Sequence, residues 1–170
     1  KRKVFEKEVN DKKSIDTKTW KQIEIHKIFD VVGSKTTPKK KLEEIGQGDF
    51  PYVTTRASNN GIDGYYNFYT DSGNVLTIDS ATIGYCSYQK NNFTASDHVE
   101  KLIPKFKMTD NIALFLQTIL NKEQFRYSYG RKYNQTRIKN TKILLPFKNS
   151  EPNWNFMDQY VRNIFGNNKI

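Results

Sequence analysis

Apolar residues fall into short runs along most of this chain and form a helical stripe at only two places. Ile112, Phe115, Leu116, Ile119 and Leu120 recur at three- and four-residue spacing, which predicts a helix over 110–125 with Asp110 as its N-cap. Met157, Tyr160, Val161, Ile164 and Phe165 repeat that spacing near the C-terminus, with Asn155 placed to cap and Asp158 three positions on. Between Trp20 and Val32 the apolar residues Trp20, Ile23, Ile25, Ile28, Phe29, Val31 and Val32 follow a mixed period, read as a short helical turn leading into a strand. Short strands are predicted over 50–55, 75–78, 82–87, 98–103 and 142–145, the last ending at Pro146. Gly, Asn, Asp and Ser separate them, Gly33-Ser34-Lys35-Thr36-Thr37-Pro38 must be loop, and Ser58-Asn59-Asn60-Gly61 carries an Asn-Gly turn signal. The pattern is that of one α/β (α+β) domain over residues 20–150, after a charged leader over 1–19 and before an amphipathic stretch over 151–170.

Charge narrows the partners. The 170 residues carry 28 Lys+Arg against 18 Asp+Glu, a formal net charge of +10. Such a balance points to nucleic acid, an anionic membrane surface or an acidic protein. No apolar run approaches the roughly 20 residues that span a bilayer, and no signal-peptide core is visible. Nucleic acid is therefore favoured and a membrane role is not. The single cysteine, Cys86, has no partner for a disulfide and lies in an apolar stretch, which fits a buried small hydrophobe in the cytoplasm. The first residues, Lys1-Arg2-Lys3-Val4, lack a Met, and a fragment or trimmed chain is expected.

The most informative segment lies beyond the first helix. From Lys122 to Lys142 there are seven basic residues, Lys122, Arg126, Arg131, Lys132, Arg137, Lys139 and Lys142, against the one acid Glu123. Several phosphates can be neutralised by such a stretch, and Tyr127, Tyr129, Tyr133, Asn134 and Gln135 offer stacking faces and amide forks within it. Known chemistries find no foothold. Asp11-Lys12-Lys13 and Asp16-Thr17-Lys18 match half of a nuclease motif without an upstream acid pair, and Asp49-Phe50-Pro51-Tyr52 only grazes an adenine-methyltransferase tetrapeptide, with no glycine-rich cofactor loop. One Cys and two distant histidines, His26 and His98, do not make a zinc site, and each histidine is expected to serve a structural hydrogen bond. There is no Gly-Lys-Ser/Thr phosphate loop.

The order of short motifs along the chain is more specific than any one of them. Trp20 and its apolar run, Gly33-Ser34-Lys35-Thr36-Thr37-Pro38, Gly48-Asp49-Phe50-Pro51-Tyr52-Val53-Thr54, Asn59-Asn60-Gly61-Ile62 and Asn74-Val75-Leu76-Thr77-Ile78 come first. Ile83-Gly84, Ala113-Leu114-Phe115-Leu116, Tyr129-Gly130-Arg131-Lys132, Ile143-Leu144-Leu145-Pro146 and Pro152-Asn153-Trp154-Asn155-Phe156-Met157 follow. Together, over about residues 18–165, they resemble a target recognition domain of a type I restriction-modification specificity subunit. The resemblance implies a curved, mostly antiparallel sheet, a buried helix near 110–125 and, over 151–170, the start of a long spacer helix. It fits half of a specificity subunit, a single-domain subunit, or the recognition module of a fused type II (BcgI-like) enzyme.

By that resemblance the chain binds double-stranded DNA without chemistry of its own. It reads half of a split site and holds a methyltransferase subunit, which uses S-adenosylmethionine to methylate an adenine; a restriction subunit and a second copy or second recognition domain are further partners implied. No cofactor or metal is expected on this chain. Lys35, Lys39, Lys40, Arg126, Lys132 and Lys139 are the candidate phosphate contacts. Arg56, Asn59, Asn60, Arg131 and Asn134 are the candidate base readers, because Arg forks suit guanine and Asn forks suit adenine. Asn59 and Asn60 are equally the ordinary chemistry of a tight turn. A general single-strand or RNA binder that uses its tyrosines as stacking platforms is the alternative from another class.

Overall fold

The computed structural model describes residues 15–127 and 132–166. The Trp20–Val32 run is interrupted once. Strand β1 (Trp20–Glu24) gives way to the single turn α1 (Ile25–Ile28), and β2 (Phe29–Gly33) follows. The turn explains the mixed period, because it carries the chain out of one sheet and into another. Ile25 and Ile28 are buried, and the Ile25 N–H donates to the Thr141 carbonyl at 3.0 Å.

Three small sheets share the remaining strands. Helix α2 (Lys39–Ile45) precedes β3 (Gln47–Val53), and a 3₁₀ turn at Asn59–Gly61 precedes β4 (Ile62–Tyr66). Next come β5 (Val75–Asp79), β6 (Cys86–Gln89), β7 (Thr94–Ala95) and β8 (Val99–Pro104). Helix α3 (Asp110–Asn121), a 3₁₀ turn at Gln124–Arg126, α4 (Gln135–Asn140), β9 (Lys142–Lys148), β10 (Glu151–Pro152) and α5 (Trp154–Phe165) complete the order. The sheets run β1-β9-β10, β2-β8-β5-β6 and β4-β3-β7. Every pairing is antiparallel except that of β3 with β7. The mixed class read from the pattern and the antiparallel bias implied by the resemblance are both present, the strands being divided among three small sheets.

The main core fills the space between the four-stranded sheet, β9, and helices α3 and α5. Leu76, Ile78, Cys86 and Leu102 from the sheet meet Ile112, Phe115, Leu116 and Leu120 of α3, and Ile143, Leu145, Met157 and Val161 close it. Burial pushes the Cys86 thiol well above its ordinary range, so it behaves as a small hydrophobe. Both predicted helices form, but each is capped elsewhere than expected. The cap of α3 is Thr109, whose hydroxyl accepts from the Ile112 N–H at 3.3 Å. Asp110 lies one residue inside, where the helix dipole favours an acid, and it pairs with Lys90 at 2.6 Å. The cap of α5 is Asn153, whose Oδ1 accepts from Phe156 N–H at 3.1 Å, because the chain enters the helix directly from β10. Strand β9 likewise runs through Pro146, which pairs opposite Trp20 and needs no N–H there.

Two helices went unread. Each of α2 and α4 buries one residue, Leu42 and Ile138, so neither shows a stripe of apolar positions. The C-terminal stripe divides within α5. Met157 and Val161 are core, and Asp158 ties the helix to α3 by accepting from Thr109 Oγ1 at 2.6 Å, whereas Ile164 and Phe165 are 57 % and 53 % exposed. Val161→Glu should therefore destabilise the fold by about 3 kcal/mol or more, while Ile164→Glu should stay within about 0.5 kcal/mol, both read from denaturant midpoints. Equal tolerance of both changes would show that α5 is not part of the core.

Candidate nucleic-acid interface

Strands β3 and β4 are joined by residues 54–61, a loop drawn closed at its neck. Thr54 N–H donates to the Gly61 carbonyl at 2.8 Å and Gly61 N–H to that of Ser58 at 2.9 Å. Asn59 and Asn60 both take left-handed backbone angles, with φ of 49° and 53°, which Asn tolerates better than most residues. Their side chains lock the turn. The Asn59 amide donates to the Ile62 carbonyl at 3.1 Å, and the Asn60 amide donates to the Tyr88 carbonyl on edge strand β6 at 2.6 Å. Gln89 Nε2 returns a bond to the Asn60 carbonyl at 3.1 Å. Next to this turn, Asp63 of β4 receives Lys39 Nζ at 2.8 Å and Arg56 Nη1 at 3.5 Å. The hydrogen bond from Lys39 is the main reason that the Asp63 carboxyl stays below the usual carboxylate range, and it raises the Lys39 ammonium in return.

The second loop, residues 34–38, is fixed by backbone bonds on both sides. Ser34 N–H donates to the Val99 carbonyl at 3.0 Å and Thr37 N–H to that of Ala95 at 2.8 Å. In its middle, Lys35 N–H donates to Asp71 Oδ2 at 3.2 Å. The Asp71 side chain is 1 % exposed and is neutralised by Lys101 Nζ at 2.5 Å. This pair lies beside an open cavity of about 450 Å³ lined in part by Lys35 and Asn74.

The third group surrounds α4. Asn134 caps this helix by accepting from Arg137 N–H at 3.0 Å, and Arg137 Nη1 reaches back to the Lys132 carbonyl at 2.6 Å. His26 Nδ1–H donates to the Lys139 carbonyl at 3.0 Å, the structural role expected for that histidine. Tyr133 is 1 % exposed and stacks on Tyr127 at 3.9 Å between ring centroids, and burial pushes its phenol well above the usual range. This corrects the expectation of two nucleic-acid stacking faces here, because the rings are spent on each other. Gly84 lies under Tyr133. With φ at 78°, a Cβ there would stand 2.4 Å from Tyr133 Cδ1, so only glycine fits.

A continuous path of contacts joins the three groups. Gln135 at the start of α4 donates to Glu100 at 2.7 Å, and Glu100 pairs across β8 with Gly33, the last residue of β2. Lys35 is two residues on, α2 begins at Lys39, and Lys39 reaches Asp63 and so Arg56. Lys35, Lys39, Lys40, Lys132 and Lys139 are exposed around this path, as are Arg56, Asn59 and Asn134. Arg126 stands apart in the 3₁₀ turn that follows α3, paired with Glu123 at 2.8 Å beside Phe125, which is 80 % exposed. Arg131 lies outside the described residues. Asn59, Asn60 and Asn134 each have one end of the amide engaged within the fold, whereas a fork on adenine needs both ends. Sequence reasoning passed over Asp63, whose one signal is its strand position directly after the Asn-Gly turn, and over the exposed Phe125.

The comparisons with known proteins are consistent with this geometry. A model of the type I restriction modification DNA specificity domain matches residues 17–170. The chain belongs to that family. It is 34 % identical over 148 residues to the type II restriction enzyme BgcI specificity subunit S.BcgI of Heyndrickxia coagulans, an overlap of 84 % of this chain and 43 % of that protein. Among solved structures it resembles the type I restriction-modification S subunit from M. genitalium, with a TM-score of 0.64 and 13 % identity over 90 % of this chain and 40 % of that one. The HsdS subunit from Thermoanaerobacter tengcongensis matches with a TM-score of 0.59 and 12 % identity over 92 % and 40 %. At such identities the structural likeness speaks for the fold. The chain spans less than half the length of each of these relatives.

The Asn-Gly turn is held by a few bonds whose loss can be measured. Asn60→Ala should lower stability by about 1–3 kcal/mol, through the bond lost to β6 and the strained backbone angle. It should be read as a lower denaturant midpoint at unchanged slope. Asn59→Ala, whose bond is exposed, should cost less; the reverse order would mean that the β6 latch does not hold the turn.

Proposed function

We propose that this chain is the DNA-reading module of a restriction-modification specificity subunit and that it recognises half of a split double-stranded site. The observation that carries the reading is the path of contacts that links the basic loop 34–40, the Arg56–Asp63 loop and the basic α4 region. Lys35, Lys39, Lys40, Lys132 and Lys139 act on phosphates there, and Arg126 adds to them from the 3₁₀ turn after α3. Each contact displaces condensed counterions, so affinity and its salt dependence have the same origin. Arg56 and Arg131 read base edges, together with those asparagine amide atoms that the fold leaves available.

The reading assigns no bond-making step to this chain. Its sequence holds neither a glycine-rich cofactor loop nor a methyltransferase tetrapeptide nor paired nuclease carboxylates. An adenine methyltransferase subunit supplies the S-adenosylmethionine chemistry, and a restriction subunit joins it. In this reading residues 20–150 are the recognition unit, the buried face of α5 packs into its core, and α5 begins the spacer helix, with its exposed Ile164 and Phe165 turned towards a partner or a second copy. The compartment that fits is the cytoplasm, where the host's DNA is; no helix among the described residues is long and apolar enough to cross a membrane.

Two measurements test the reading. Binding to duplex DNA should weaken by about three decades between about 50 and 200 mM salt if roughly six phosphates are contacted, and Lys35→Ala, Lys40→Ala and Lys139→Ala should each flatten the log–log slope by about one. An affinity that does not change with salt would contradict it. With labelled S-adenosylmethionine and target DNA, label should reach the DNA only after the methyltransferase subunit is added; transfer by this chain alone would reveal a catalytic site of its own.

A further inference from the structure

An ionised acid on a surface built to meet phosphates needs a reason to be there. Asp63 is such an acid, and its two oxygens are divided: Oδ2 takes Lys39 Nζ at 2.8 Å and Oδ1 faces Arg56 Nη1 at 3.5 Å. The side chains are 49 % exposed for Lys39, 50 % for Arg56 and 32 % for Asp63, so the cluster is open to a large ligand. Its supports are rigid. Arg56 lies in the loop closed by the Thr54 and Gly61 bonds and latched by Asn60 to β6, and Asp63 lies in β4. Lys39 opens α2, which is seated by the buried Leu42 against Tyr52 and Tyr66.

We propose that Asp63 is a positioning residue that aims the Arg56 guanidinium at a guanine edge in the major groove while Lys39 neutralises the same carboxylate. The proposal rests on the DNA-reading function above and adds a residue to its specificity. A guanidinium carries five N–H donors, so one turned towards Asp63 leaves enough of the fork to meet guanine O6 and N7. An arginine already held on one side loses less freedom when it binds, and it discriminates better than one that must be ordered by the base. Lys39 reduces the repulsion that a bare carboxylate would exert on nearby phosphates. Because Lys39 keeps the carboxyl ionised well below neutrality, the arrangement persists at working pH.

The acid then has opposite effects on two quantities, whereas a purely repulsive residue would move only the first and a purely structural one would move both the same way. It weakens binding to DNA in general, by adding negative charge, and it strengthens the choice of guanine at one position. The test is binding of the full chain to a pool of duplexes with randomised positions, compared among wild type, Arg56→Ala, Asp63→Asn and Asp63→Glu. Asp63→Asn keeps the shape and should raise affinity for the unselected pool severalfold while reducing the preference for guanine at one position by about tenfold. Arg56→Ala should abolish the preference at that same position, and Asp63→Glu should restore part of it. If Asp63→Asn scales all duplexes by one factor, or relaxes a position that Arg56→Ala leaves unchanged, the positioning role is overturned. A wild-type chain without preference for any duplex sequence would instead overturn the DNA-reading function, and this role with it.

Discussion

A carboxylate withdrawn from water must be met by charge and by hydrogen bonds, and Asp71 is met by three groups at once. Lys101 of β8 supplies the charge at 2.5 Å, the Thr70 hydroxyl donates at 2.8 Å and the Lys35 N–H at 3.2 Å. Breaking such a pair from one side typically costs about 3–5 kcal/mol, a large part of the about 5–15 kcal/mol that stabilises a domain. The pair also has an architectural consequence. Lys101 belongs to the four-stranded sheet, and the backbone of Asp71 bridges Phe93 just before β7 of the three-stranded sheet, so one ion pair spans both. The loop that carries Lys35 is hung from this junction and from the Thr36 bridge to Ala95. The loop that carries Lys35 is therefore displayed by a frame with a buried, paired carboxylate at its junction.

That frame was partly legible in the sequence. The stripe over 110–125 predicted α3 because five of its residues face one core, and short apolar runs bounded by turn residues predicted β5 and β9. Short elements escaped wherever one residue does the anchoring. The run Lys39-Lys40-Lys41 offers no apolar position, and α2 is anchored by Leu42, which packs with Tyr52 and Tyr66. The capping residues shifted by one or two positions, since Thr109 and Asn153 are chosen by tertiary partners, Asp158 and the Pro146 carbonyl, that sequence spacing does not reveal. Family resemblance supplied the fold at a level that periodicity did not reach.

The site was legible as chemistry and less so as roles. Charge alone marked the cationic groups, and they come together through Glu100 and Asp63, two acids that no charge count would choose. Asparagines were proposed as readers because their amides match adenine, but the fold engages one end of each amide before any DNA arrives. Tyr133 was proposed as a stacking face and is instead the most deeply buried tyrosine among the described residues. In each case the side chain had two compatible uses, and the decision rested on a neighbour distant in sequence.

The account's central claim is that loops 34–40 and 54–63 and the α4 region form one DNA-facing surface, while α3 and the buried face of α5 serve the core. Amide hydrogen exchange of the chain with and without mixed-sequence duplex DNA at low salt tests it most directly. The account predicts slowed exchange in 34–40, 54–63 and 132–139 together, with 112–120 and 157–161 unchanged. Protection confined to one of the three segments, or centred on α3 and α5, would contradict it.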